Sequence, residues 1–107
     1  FTKSFTIVNK TNLQANDVGT IEGWRCNVPC TASLVLGYTD SGSGVIVNAT
    51  KNGSALMAAD LPLTASSWVS SSVLQNQNFV TGDILGFNLV SFSVAPKIVT
   101  IQTSFNY

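Results

Sequence analysis

Apolar positions in this 107-residue chain come in short runs or alternate with polar ones, and no segment repeats them at the helical period of about 3.6 residues. β-Branched residues are abundant, and Gly, Asn, Asp, Ser and Pro interrupt the apolar runs roughly every 8 to 12 residues. The pattern predicts eight strands: Phe5 to Val8, Thr20 to Cys26, Ala32 to Tyr38, Val45 to Thr50, Ser54 to Met57, Trp68 to Leu74, Ile84 to Ser91 and Lys97 to Phe105. So many short strands in a chain this small predict one all-β domain, an antiparallel β-sandwich of jelly-roll-like kind with about eight strands.

Alternation also assigns faces. Leu85, Phe87 and Leu89 share one face of their strand, Val99, Ile101, Thr103 and Phe105 share one of theirs, and Leu34, Leu36 and Tyr38 form a bulky face; all three sets are expected to point inward. Trp24 is expected inside with Phe87. Asn52-Gly53 is the pair favoured by a type I′ turn, whose two central residues need positive φ, so Val45 to Thr50 should fold back on Ser54 to Met57. Thr81-Gly82-Asp83 is a second tight turn. Asp60 to Ser67 contains Pro62 and reads as a connection or an irregular edge. The serines from Ser66 to Ser72 interleave with Trp68, Val69 and Val73, which suits a strand with one polar face better than a spacer.

Composition changes the picture mainly through what is scarce. Five Lys and Arg balance five Asp and Glu, charged residues make up 9% of the chain, and histidine is absent. That excludes Ser-His-Asp and Cys-His catalysis, imidazole metal sites and the basic footprint of a nucleic-acid binder. Polarity falls instead to Ser, Thr, Asn and Gln, which fill 38 of the 107 positions. Zero net charge brings little repulsion between copies, so the chain is expected to work as one copy among many. No apolar stretch approaches the roughly 20 residues of a membrane span, so no membrane insertion is expected.

Few residues are left to carry chemistry. Cys26 and Cys30, with three residues between them, can form a disulfide, remain two thiols, or supply half of a metal site shared between subunits. Zinc is the weakest of these because a structural site wants four Cys or His ligands, and no metal or cofactor is expected. Asp17, Asp40, Asp60 and Asp83 stand in turn-like contexts, where the carboxylate serves neighbouring backbone amides, and Glu22 completes the acidic set. The Asp40-Ser41-Gly42-Ser43-Gly44 segment is rich in oxygen but lacks the calcium-loop pattern. Trp24, Trp68, Tyr38, Tyr107 and Phe92 offer rings on which a sugar can stack, and Trp68 among its serines is the exposed one, with Tyr38 and Asp40 as accompanying contacts. Sequons begin at Asn9, Asn48 and Asn52, about as many as chance supplies in so Asn-, Ser- and Thr-rich a chain.

Three segments carry a resemblance: Gly19-Thr20-Ile21-Glu22-Gly23-Trp24, Lys51-Asn52-Gly53-Ser54, and Phe79 to Asn88 with the alternating strand that follows. Together, from Gly19 to Phe105, they resemble the small β-sandwich domains of tailed-bacteriophage virion proteins, which occur in tail fibres, receptor-binding tips and capsid-surface proteins. The Cys26 to Cys30 segment departs from that pattern, where a longer polar loop follows the Gly-Trp stretch. The resemblance implies a non-enzymatic virion component, a capsid-decoration or tail-fibre module. Its partners would be other virion proteins and copies of itself, as dimer or trimer, attached through an edge strand or the segment from Phe1 to Lys10. A receptor- or carbohydrate-binding domain of a tail-fibre tip or a secreted lectin-like protein, with a host-surface glycan as partner, is the alternative.

Overall fold

The structure, a computed structural model, describes the backbone of residues 1–8 and 19–107 and the side chains of 1–6 and 23–107. Ten strands are present: β1 (Thr2–Val8), β2 (Gly19–Arg25), β3 (Cys30–Thr39), β4 (Ile46–Lys51), β5 (Ser54–Ala55), β6 (Leu61–Pro62), β7 (Val69–Ser71), β8 (Asn78–Phe79), β9 (Ile84–Ser91) and β10 (Ile98–Asn106). The eight expected strands are all there. The two additional ones, β6 and β8, are two residues each, too short to leave an alternation in the sequence. Pro62 lies on the edge strand β6, where a residue without an N–H is tolerated.

The strands form two sheets. One runs β1-β10-β3-β7, with β8 also on β3; the other runs β2-β9-β4-β5, with β6 also on β4. Every pairing within them is antiparallel. The chain is therefore folded back on itself at the β4–β5 hairpin, so that β1 lies beside β10, β2 beside β9, and β3 beside β7 and β8. Successive pairs then alternate between the two sheets. That is a jelly-roll winding, and it closes the sandwich around the inward faces of both sheets. The hairpin tip has the expected geometry, with φ of 53° at Asn52 and 84° at Gly53.

The core follows the alternation on β9 and β10: Leu85, Phe87, Leu89, Val99, Ile101, Thr103 and Phe105 are all buried. On β3 the expected inward face is wrong. Cys30, Ala32, Val35, Gly37 and Thr39 are the buried positions, while Leu34, Leu36 and Tyr38 are half-buried on the opposite face. The reason is a β-bulge: Phe105 pairs with Ala32 and Ser104 with Leu34, so Ser33 is extra and the side-chain parity switches there. The Ser33 hydroxyl donates to the Ser104 carbonyl at 3.2 Å, which holds the bulge against β10.

A second bulge lies in β2, where Glu22 pairs with Gly86 and Trp24 with the core residue Leu85. Gly23 is the extra residue, and a Cβ there would lie 2.2 Å from the Phe5 ring. Its lack of a side chain lets Phe5 of β1 cover β2 at this point, and the bulge turns Trp24 toward the inside of the sandwich.

Candidate functional site

The outward face of the β1-β10-β3-β7 sheet is assembled from Thr2, Ser4 and Thr6, then Thr100, Gln102 and Ser104, then Leu34, Leu36 and Tyr38, then Ser70. No charged residue lies on it among the described residues. Cross-strand hydroxyls meet along its β1 side, Thr6 with Thr100 at 2.9 Å and Thr2 with Ser104 at 3.4 Å. The scarcity of charge in the sequence is here concentrated into one continuous face.

Trp68 stands at the β7 end of that face with its ring centroid 5.2 Å from that of Tyr38, and it is 51% exposed. Of the three residues expected to contact a ligand, the structure brings these two together. Asp40 follows them on the chain with a different occupation. Its carboxylate accepts from the backbone N–H of Ile98 at 2.9 Å and of Lys97 at 3.3 Å, and from the Ser41 hydroxyl at 3.0 Å. Burial pushes the Asp40 carboxyl up, but these bonds outweigh it and hold the group below the ordinary aspartate value. The Ser/Gly loop after it is pinned as well, since Ser43 pairs with Val94 and exchanges backbone bonds with Ser93 and Val94.

Of the other carboxylates among the described side chains, Asp83 anchors a turn and Asp60 is tied to a buried side chain. Asp83 accepts from the Val80 N–H and the Asn52 side chain, both at 2.9 Å, and Lys51 lies 4.0 Å away. The Val80 and Asn52 bonds, more than the lysine, hold Asp83 below its ordinary value. Asp60 accepts from buried Asn48 at 2.8 Å, and Asn48 also bonds both the N–H and the carbonyl of Met57, standing in for ladder partners between β5 and β6. A buried Asn48 so engaged is not available to a glycan. Asp17, the Asn9 sequon and the Glu22 side chain lie outside the described residues.

Cys26 and Cys30 are buried at the junction of β2 and β3, their sulfurs in hydrogen-bond contact at 3.8 Å and not joined in a disulfide, and the Cys26 thiol donates to the Val28 carbonyl at 2.9 Å. Burial first, then the neighbouring Cys26 sulfur, pushes the Cys30 thiol up to about 11, so it stays protonated and a poor nucleophile at neutral pH. Among the described residues no group of three His, Cys, Asp or Glu side chains converges on a metal-sized site.

A concave site lies at the opposite end of β10 from Asp40. Phe1, Lys3, Trp24, Asn27, Val28 and Tyr107 line a cleft of about 250 Å³. Phe1 stacks on Phe105 at 5.1 Å and meets Trp24 edge-on at 5.6 Å and Tyr107 at 5.1 Å, while Lys3 Nζ lies 5.0 Å from the centre of the Trp24 ring. Phe1 is held by two backbone bonds with Phe105, which extend the β1–β10 ladder by one residue. Trp24, expected in the core, is half-buried and forms part of this cleft. Sequence reasoning began the first strand at Phe5. Carrying its alternation back would have put Phe1, Lys3 and Phe5 on one face, but nothing local brings that face to Trp24 and Tyr107.

Comparison with protein-family models and with curated proteins finds no match to this chain.

Proposed function

We propose that the chain is a non-enzymatic surface module of a bacteriophage virion, of capsid-decoration or tail-fibre type, working by assembly with other virion proteins and with copies of itself. The observation that carries this reading is the outer face, without charge among the described residues, and the exposed Trp68 ring on Tyr38. Sheet faces and edges that stay apart in solution usually carry charge, and exposed Trp and Tyr are the residue types that anchor interfaces. The engagement of Asp40 and Asp83 by backbone amides and of Asp60 by Asn48 supports a role without acid–base chemistry. The resemblance of the Gly19 to Trp24, Lys51 to Ser54 and Phe79 to Asn88 segments to phage β-sandwich domains supplies the setting.

Sedimentation velocity of the chain, with and without purified particles, tests the reading. Self-association or particle binding is expected, weakened roughly thirtyfold by Trp68→Ala. Antibody labelling of intact particles then locates the chain at shell or tail tip. A chain that stays monomeric and binds no particle overturns the reading. So does saturable binding on a glycan array that Trp68→Ala abolishes, which would favour a lectin-like face instead.

A further inference from the structure

The chain's two cysteines take no part in the outer face, yet the fold places them against each other. Cys26 directly follows β2 and is tied to the turn ahead of β9, its N–H donating to the Asp83 carbonyl at 2.7 Å and its carbonyl accepting from the Gly82 N–H at 2.9 Å. Cys30 opens β3 in the other sheet and pairs with Phe79 of β8. Their sulfurs, 3.8 Å apart, therefore meet where the chain crosses from one sheet to the other. A disulfide brings two sulfurs to about 2.05 Å, so closing the gap takes under about 2 Å of movement. It gives up one hydrogen bond, from the Cys26 thiol to the Val28 carbonyl.

Access works against the same reaction in the folded protein. Cys26 is 0% and Cys30 5% exposed, and the segment between them is fastened by the Thr81 hydroxyl, which donates to the Asn27 carbonyl at 3.3 Å. Thiol–disulfide exchange needs an open approach to sulfur, which this end of the sandwich closes off, and burial also keeps the Cys30 thiol protonated at neutral pH.

We infer that Cys26 and Cys30 form a disulfide whose state is set at folding: in the presence of a low-molecular-weight disulfide it closes while their segment is still open, joins one sheet to the other, and is then sealed by burial. A chain folded under reducing conditions keeps the dithiol in the same way. With glutathione disulfide as oxidant, one cysteine thiolate attacks it, forms a mixed disulfide and expels a glutathione thiolate; the second cysteine then attacks the protein sulfur of that mixed disulfide and expels the other. The pair gives up two electrons and two protons, and glutathione disulfide takes them up as two thiols. The inference does not depend on what the outer face binds.

The test divides the reduced chain in two. One half is kept folded in glutathione disulfide, and the other is unfolded in urea and refolded in the same buffer; both are quenched in acid, alkylated under denaturing conditions and compared by mass spectrometry. The refolded half is expected to carry an intramolecular disulfide without attached glutathione, and the half kept folded to remain a dithiol at the same time point. Iodoacetamide should modify the folded dithiol at least about a hundredfold more slowly than the unfolded one. The disulfide form should melt roughly 5–10 °C above the dithiol form, a modest gain because the closed ring is small. Dithiothreitol should reduce it only when urea is added. Refolding that leaves free thiols, bound glutathione or disulfide-linked dimers overturns the inference. So does oxidation or alkylation of the folded half as fast as of the unfolded chain, or a disulfide form that melts below the dithiol.

Discussion

The molecule holds two aromatic groups made of the same residue types and put to opposite uses. At the cleft end Phe1, Trp24, Phe79, Phe105 and Tyr107 are linked through ring centroids 5.1 to 5.6 Å apart, and Phe79 and Phe105 are buried in the core. At the β7 end Tyr38 and Trp68 form a lone pair on the outside of a sheet. The first group is continuous with the fold, so its rings are held in place by the core beneath them. The second rests on a finished surface, with the Trp68 ring 51% exposed, and stabilises little by itself. Burial of neighbours, rather than ring type, separates an aromatic that builds the domain from one that lies on its surface.

That contrast can be broken most directly by truncation. Phe105→Ala is expected to cost about 3–5 kcal/mol of stability in urea unfolding. Trp68→Ala should cost no more than about 1 kcal/mol while weakening assembly. Comparable losses in the two variants would erase the distinction. Gly23→Ala follows in size: the new Cβ meets the Phe5 ring, and about 1–3 kcal/mol of overpacking strain is expected. It should leave self-association through the outer face intact.

Acid sharpens the comparison further, because each region has its own aspartate anchor. Asp40 holds the start of β10 just beyond the Tyr38–Trp68 end, while the Asp83 turn bonds Cys26, whose loop forms one wall of the cleft. Both carboxyls are held below their ordinary value in the folded protein, so the unfolded chain takes up protons first as pH falls. Their contribution is complete above about pH 4 and is lost as pH drops through the lower folded values. Asp40→Asn should reduce stability by about 1 kcal/mol at pH 6 and flatten the acid dependence, compared by urea unfolding at pH 6 and pH 3.

Much of the fold was legible because strand alternation and turn chemistry are local. The Asn52-Gly53 turn needs only its own two residues to take positive φ; β10 alternates without interruption, and β9 does so from Leu85 to Leu89, before the extra residue Val90 shifts its register with β4. β3 was misread for a physical reason: one extra residue at Ser33 reverses every later position, and only pairing with β10 reveals it. Trp24 was half misread for another reason: the Gly23 bulge turns it inward, but it stands at the end of the sandwich beside Phe1 and Lys3, which only the pairing of β1 with β10 brings there. The candidate site was legible as to its exposed ring, Trp68, and its companion Tyr38. Asp40 was named as a contact, yet its bonds to Lys97 and Ile98 join residues 57 and 58 positions apart.

The sequence alone determined that this is an all-β sandwich of short strands, poor in charge, without histidine and rich in hydroxyls and amides, since each of these follows from composition or from spacing over a few residues. Only the tertiary structure decided that the uncharged side chains gather on one sheet face, and that Phe1 and Lys3 meet Trp24, Phe105 and Tyr107 around a cleft. Those meetings depend on the jelly-roll winding that lays β1 against β10 and on two bulges that reset parity. Both arise from long-range register, and register is a property of strand pairs that no single stretch of sequence contains.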